Sequence, residues 1–380
     1  FDAKIHGAKV LVYSEVIEFI KEQDTIKGVK VLDHHTGIVT DYYAPVTVNA
    51  GGIWGHHIAQ MAGANISMFP AKGALLIFAH RVNSVVINRC RKPANADILV
   101  PGDTVCVIGT TSTRVPYEEC DHLKVTPDEV DLLLTEGAKL APCLAETRVL
   151  RAYAGVRPLV SADNDPSGRN ISRGIVCLDH ESRDGIKGFI SITGGKLMTY
   201  RLMGEMAADA VCKKLGRDAK CVTADTPLPG SEPGGIEEIS KKIWEVPTMV
   251  QKASVGRFGT QAAKLDFDGD VKGSLVCECE EVSVSEVDSA IENLEVNNLV
   301  DLRRRTRFGM GTCQGELCAC RAAGRLAKAR KCTSKARADL KDFMNERWKG
   351  MYPVAWGETL RESAYTQWVY SEVMGLGEEI

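Results

Sequence analysis

The stretch GMGTCQGELCAC, residues 309–320, sets Cys313 and Cys318 in a C-x-x-x-x-C arrangement inside a glycine-rich loop. Upstream, SLVCECEEVSVSEV, residues 274–287, holds Cys277 and Cys279 as C-x-C. Four thiolates at such paired spacings can close one metal centre. Gly309, Gly311 and Gly315 let the backbone wrap tightly enough for N–H groups to face sulfur, and ELCACRAAGRLAKAR predicts a helix whose N-terminal dipole favours an anionic centre. Arg303, Arg304, Arg305 and Arg307 add positive charge just upstream. Structural zinc prefers C-x-x-C knuckles, so the spacing favours a 2Fe-2S cluster, with zinc as the alternative and Cys320 as a substitute for Cys318. Four unrelated core cysteines and a disulfide are the other readings. The paired spacing argues against the first, and reducing thiol buffers against the second.

The chain has 380 residues, 44% hydrophobic and 26% charged, which suffices for a large core in two or three domains and excludes global disorder. A net charge of -3 gives no electrostatic case for nucleic acid. The thirteen cysteines are an odd number, and Cys90, Cys106, Cys143, Cys177 and Cys212 each stand alone in apolar stretches, where reduced thiols pack as small hydrophobes. That usage suits a reducing cytosol. The apolar run GALLIFAH is broken by His80, Arg81 and Asn83, well short of the roughly 18 residues of a membrane span. The first residue is Phe1 and no targeting peptide is visible, so the sequence reads as an internal fragment.

Outward from the cysteines, TADTPLPGSEPGG at 223–235 is the clearest linker and marks a domain boundary. AKVLVYSEVIEFI and the run after it predict a β-meander ending in the strand APVTVNA; GIWGHHIAQMAG then has helical spacing. Strand candidates LLIFAH, SVVINRC, DILVPG and TVCVIGTTST precede TPDEVDLLLTEGAKLAP, a helix with a Thr cap, and together predict an antiparallel sheet backed by helices. TRVLRAYAGVRPLV reads as a strand, and GIKGFISITGGKLMTYRLMGEMAADAVCKKLG as strand, Gly-Gly and a long amphipathic helix carrying Lys196 and Thr199 in its first turn. N–H groups, a cation and a hydroxyl converging there suit an anionic or electron-rich ligand. Gly51-Gly52, between strand and helix, permits the same close approach. Arg157 lies in an apolar stretch, where a guanidinium needs an anionic partner such as a phosphate. Trp348, Trp356 and Trp368 sit in a charged tail for which internal packing is the expected role.

VCECEEVSVSEV with LRRRTRFGMGTCQGELCACR resembles the bacterioferritin-associated-ferredoxin type of 2Fe-2S domain, which implies a cluster on Cys277, Cys279, Cys313 and Cys318. In order, NAGGIWG, FPAKGALL, IGTTS, AGVRPL, SRG and ITGGKLMTYR resemble the FAD-dependent glycerol-3-phosphate dehydrogenases of the D-amino-acid-oxidase-like superfamily. With the ferredoxin-type segment and the tail NERWKG…PVAWGETLRES, the resemblance is to the large subunits of their anaerobic branch. It implies an α/β (α+β) architecture: a partial FAD-binding domain at 1–63, an antiparallel-sheet substrate domain at 64–160 and a closing FAD segment at 161–222. A linker region at 223–270, a small helical 2Fe-2S domain at 271–330 and a tail at 331–380 complete it. It further implies FAD contacts from Asn49, Ala50, Gly51, Gly52, Trp54, Gly194, Gly195, Lys196, Leu197 and Thr199, with Arg157 and Arg173 gripping substrate and Lys196 beside the flavin.

The implied activity is oxidation of sn-glycerol 3-phosphate to dihydroxyacetone phosphate, with electrons leaving through the cluster to partner subunits and membrane quinone. That places the chain in the cytoplasm, peripheral on the inner membrane through those partners. The dinucleotide fingerprint G-x-G-x-x-G is not among these residues, so the resemblance implies a start partway through the flavin domain. A non-catalytic electron-transfer or scaffold fragment, with only the four-cysteine part competent, is the competing expectation. Where the aerobic relatives carry a His after KG, this chain has Ala74 and Leu75, so no general base is assigned.

Overall fold

A computed structural model describes residues 2–160, 174–242, 246–269 and 271–377. The chain divides into two compact units, one of residues 1–73, 112–123 and 155–227, the other of 74–111, 124–154 and 228–380.

In the first unit, Ser14–Glu22, Thr25–Asp33 and Val39–Tyr43 form the antiparallel meander. Gly28 is required there: a Cβ at that position would lie 2.1 Å from the Tyr42 carbonyl oxygen. The strand expected to end this meander does not belong to it. Thr47–Asn49 instead pairs in parallel with Phe189–Gly194, which pairs antiparallel with Ile175–Asp179. Local alternation cannot foresee a pairing that spans some hundred and forty positions. Phe19 packs edge-on against Phe189, with ring centroids 5.2 Å apart, in a core that also holds Ile26, Ala59 and Ala62. The helix Gly55–Ala62 stops where Gly63 takes a left-handed φ of 90°.

In the second unit the strand order is Val149–Val160, Met68–Phe78, Cys106–Gly109, Ile98–Pro101, Ile87–Asn88, the first two strands continuing across the boundary between units. Only two residues of the expected strand SVVINRC pair. The helix Pro127–Leu140 backs this sheet, its first turn closed by a reciprocal cap between Thr126 and Glu129, and Val130 and Leu133 face Leu76, Leu99 and Ile108. Of the lone cysteines only Cys106 is fully buried; Cys90 and Cys143 are exposed and Cys177 and Cys212 half-buried. Each side chain lies where its strand or turn directs it, which apolar neighbours in sequence do not settle.

The cysteine segment forms a hairpin, Leu275–Cys277 with Val282–Ser283, and three helices, Val284–Asn293, Leu299–Thr306 and Ala319–Arg330, and the tail begins with a fourth, Ala336–Met351. Val282, Val287, Leu299, Leu302, Phe308 and Leu326 fill its core, each stabilising by roughly 2 kcal/mol. The tail closes the same core, but through Leu340, Phe343, Met344, Tyr370 and Leu376. Trp348, Trp356 and Trp368 remain 41%, 47% and 54% exposed, contrary to the expected internal packing. Among the described residues no helix is long and apolar enough to cross a membrane.

Candidate redox site

Cys277 ends the short strand of the hairpin and Cys279 lies in its turn, which is held shut from behind. Ser283 and Glu286 cap the following helix reciprocally, and the fully buried Glu286 carboxylate takes two hydrogen bonds from Arg257, at 2.8 and 3.0 Å. The same guanidinium donates to the carbonyls of Glu280 and Glu281, so one arginine fixes both the helix start and the ligand turn. On the other loop, Gly311 leaves no room for a side chain, since a Cβ there would lie 2.4 Å from Cys279 Cβ. Gly315, with φ +94°, passes over the Phe343 ring, which would meet a Cβ at 2.5 Å. The Tyr370 hydroxyl donates to the Glu316 carbonyl, so the tail clamps the loop between Cys313 and Cys318. Cys318 is the N-cap residue of the helix Ala319–Arg330, as the expected dipole placement requires.

The four sulfurs form one connected group. Cys279 Sγ lies 3.6 Å from Cys313 Sγ, and Cys318 shares hydrogen bonds with Cys277 and Cys313. These bonds hold the Cys313 and Cys277 thiols well below the ordinary range and push Cys279 and Cys318 above it. A tetrahedral zinc needs all four sulfurs about one point, whereas a 2Fe-2S centre takes two ligands on each iron. The four thiols, linked in the order Cys277, Cys318, Cys313 and Cys279, supply the four sulfur donors that a two-iron centre needs. Cys277 and Cys318 are each 1% exposed, Cys279 and Cys313 half-buried, and Cys320 is exposed, so the candidate fourth ligand is Cys318.

In the first unit, the parallel register sets Asn49 opposite Ser191. Gly51-Gly52 and Gly194-Gly195, which follow these strands in the same direction, therefore emerge at one sheet edge, where open α/β sheets bind ligands. Gly52, Gly194 and Gly195 all take positive φ, of 58°, 77° and 67°. A Cβ on Gly52 would meet nothing within 4 Å, leaving an open approach to its backbone. The expected helix start at Lys196 is displaced: Leu197–Thr199 is a 3₁₀ turn and the helix is Tyr200–Lys214. Thr199 Oγ1 accepts from the Lys196 amide at 2.9 Å and donates to its carbonyl at 2.8 Å, so this hydroxyl closes the turn. Lys196 and Ala50 are exposed, Leu197 is 92% exposed and Trp54 46%.

Arg157 is half-buried beside Gly73, whose missing side chain makes room for it: a Cβ there would lie 2.5 Å from Arg157 Nη2. Its Nη1 donates to the Ala71 carbonyl at 3.5 Å. Arg173 lies outside the described residues. Sequence reasoning missed Lys72, which is buried within the strand Met68–Phe78 and was visible only as a lone charge in an apolar run.

It also missed a buried polar chain beneath the glycine turns. His180 Nδ1 lies 2.6 Å from Asp184 Oδ2, and because a carboxylate only accepts, Nδ1 carries the hydrogen. Nε2 contacts Ser191 Oγ at 2.8 Å; Asn49 Nδ2 donates to that hydroxyl at 3.1 Å and to the Gly55 carbonyl at 2.9 Å, and the Gly51 amide donates to Asn49 Oδ1 at 3.1 Å. Asn49 thereby ties the Gly51 turn to His180, Asp184 and Ser191, some hundred and forty positions on. The single His in LDHES gave no signal of this.

Residues 2–201, over half of the 380, match the family described as FAD dependent oxidoreductase, and residues 275–326 match the BFD-like 2Fe-2S binding domain. Fold and site thus define an FAD-dependent oxidoreductase carrying a 2Fe-2S domain. A glycerol-3-phosphate dehydrogenase structure from Bacillus halodurans, complexed with FAD, superposes with a TM-score of 0.69 over 94% of this chain and 72% of that one; at 21% identity this likeness concerns the fold. The chain is 57% identical to the anaerobic glycerol-3-phosphate dehydrogenase A-subunit of Haemophilus influenzae over 99% of its length and 67% of that protein's. It is 58% identical to the Escherichia coli A-subunit over 100% of its length and 70% of that protein's. The chain belongs to the family of anaerobic glycerol-3-phosphate dehydrogenase A-subunits.

Proposed function

We propose that this chain carries the flavin- and cluster-binding parts of a dehydrogenase that oxidises sn-glycerol 3-phosphate to dihydroxyacetone phosphate. The observation that carries this reading is the connected four-cysteine cage in one chain with two positive-φ glycine turns at a common sheet edge. When bound, FAD would supply the hydride acceptor for substrate C2 and the 2Fe-2S centre a one-electron carrier beyond it.

The chain's own residues supply the setting. Arg157 holds the substrate phosphate through charge-assisted hydrogen bonds, with Arg173 as its partner. Gly51, Gly52, Gly194 and Gly195 would offer bare backbone to FAD, Asn49 fixes the first turn, and Ala50, Trp54, Lys196, Leu197 and Thr199 would complete the FAD contacts, with Lys196 beside the flavin. Cys277, Cys279, Cys313 and Cys318 hold the two irons. Electrons leave through further subunits to membrane quinone, and those subunits tether the chain to the cytoplasmic face of the inner membrane.

In the cofactor-loaded complex, glycerol 3-phosphate should bleach the flavin absorption and then bring up the signal of a reduced 2Fe-2S centre. A flavin that stays oxidised under excess substrate sinks the proposal. Arg157→Ala should raise KM for the phosphorylated substrate at least tenfold, the loss of a charge-assisted contact worth about 1.5–3 kcal/mol. An unchanged KM would remove Arg157 from the phosphate.

A further inference from the structure

In the four-cysteine unit the arginines Arg148, Arg151, Arg303 and Arg347 outnumber the carboxylates set against them, Glu316, Glu346 and Glu362. Arg151, 6% exposed, binds Glu346 through its carbonyl at 3.1 Å and its Oε1 at 3.3 Å. Glu362 is shared, Arg148 donating to Oε2 while Arg347 lies 3.6 Å from Oε1. Arg303 has no carboxylate of its own: its one hydrogen bond among the described residues runs 3.3 Å to the neutral Oε1 of Gln314. Gln314 is itself buried, neighbours Cys313 in sequence, and turns its amide onto the carbonyls of Met310 and Gly311. The Nε groups of Arg303 and Arg347 are buried and without a hydrogen-bond partner. Burial lowers the pKa of Arg303 to about 9, as does the like charge of Arg151, while Glu346 and the Cys318 sulfur act the other way. Arg347 is lowered chiefly by burial, with Glu362, Glu316 and Cys313 opposing. Both stay charged at neutral pH.

The other cations of this segment are satisfied or wet. Arg307 is paired with Asp103 and Glu280, Arg321 with both oxygens of Glu278, Arg305 reaches the Leu294 carbonyl, and Arg304 is exposed. An uncompensated buried guanidinium costs several kcal/mol, so it persists where an anion balances it. A 2Fe-2S centre on four thiolates is net negative, and more so by one charge when reduced.

We propose that half-buried Arg303 and buried Arg347 are the countercharges of the iron–sulfur centre and hold its reduction potential up. This rests on the 2Fe-2S reading of the cage. Each cation favours the reduced state because that state carries the extra negative charge, and the low dielectric of the site leaves the effect largely unscreened by salt. Arg303 has the larger role, since Arg347 shares its charge with Glu362.

The test is an EPR-monitored redox titration of the cluster-loaded protein, read apart from turnover. At the wild-type midpoint R303M should lower the reduced-to-oxidised ratio about tenfold, a shift of about 59 mV for one electron. R347M should lower it about threefold. R303K should stay within threefold of wild type, and exposed R304M within twofold. A change under threefold in R303M, or a fall in R303K as deep as in R303M, overturns the proposal. If the Met variants fail to load a cluster while R303K and R347K do, the charge is needed to hold the anion and the proposal stands. Failure of the Lys variants as well would assign these side chains to packing and overturn it.

Discussion

Replacing Gly311 by Ala tests the cage at its narrowest point. The new Cβ would lie 2.4 Å from Cys279 Cβ, 3.2 Å from Glu280 Oε1 and 3.3 Å from Thr104 Oγ1. Carbon atoms rest at about 3.5–4.0 Å, so Cys279 must retreat by about 1 Å or more. Metal–ligand bonds tolerate displacements of only about 0.2 Å. Gly311 is not in the left-handed region, so Ala adds no backbone strain and the effect is steric alone. Glu280 cannot give way cheaply, because its buried carboxylate is bound by Arg307 at 2.8 Å. Overpacking of this kind costs about 1–3 kcal/mol even before a metal is considered. Iron and acid-labile sulfide should therefore fall below half of the wild-type content per chain, with the visible cluster absorption falling in proportion. The apo-protein should still fold, its chemical midpoint lowered by no more than that overpacking cost. Full iron content with an unshifted spectrum would refute the placement of Gly311 against Cys279.

Gly324, exposed in the helix Ala319–Arg330, would meet nothing within 4 Å, so Gly324→Ala should raise the stability of the four-cysteine domain by about 1 kcal/mol in a urea titration. Arg257→Met strands the fully buried Glu286 carboxylate and should destabilise that domain by about 3–5 kcal/mol; Glu286→Gln in the same background should recover part of the loss, since a neutral amide is cheaper to bury. Glu136 is held down to about 2 from 4.5 by hydrogen bonds from Lys139 and Arg89. A depressed folded-state pKa stabilises above the unfolded value and is lost as pH falls through the folded one, so wild type should lose Tm between about pH 4.5 and pH 2 more steeply than Glu136→Gln. Parallel Tm profiles would mean that the contacts of Glu136 do not contribute.

The features legible in the amino-acid sequence are those that depend on local chemistry. The cysteine spacing, the glycines around it and the Thr126 cap are written in neighbouring residues; the cap forms as expected, and Gly311 and Gly315 leave room for Cys279 and Phe343. The meander was legible for the same reason: runs of β-branched and aromatic residues punctuated by turn residues announce its strands. Whatever depends on residues remote in the chain was settled by tertiary packing. Thr47–Asn49 left the meander to pair with Phe189–Gly194, and only that register brings Gly51-Gly52 and Gly194-Gly195 to one edge and links Asp184, His180, Ser191 and Asn49 in a buried chain. Four arginines crowded into one sequence stretch looked equivalent. Folding separates them, leaving half-buried Arg303 bonded to Gln314, next to Cys313 in sequence, while Arg304 faces water. Spacing along the chain can specify which atoms are able to bind a charged centre; the dielectric around them, which sets the strength of each charge, exists only once the chain has folded.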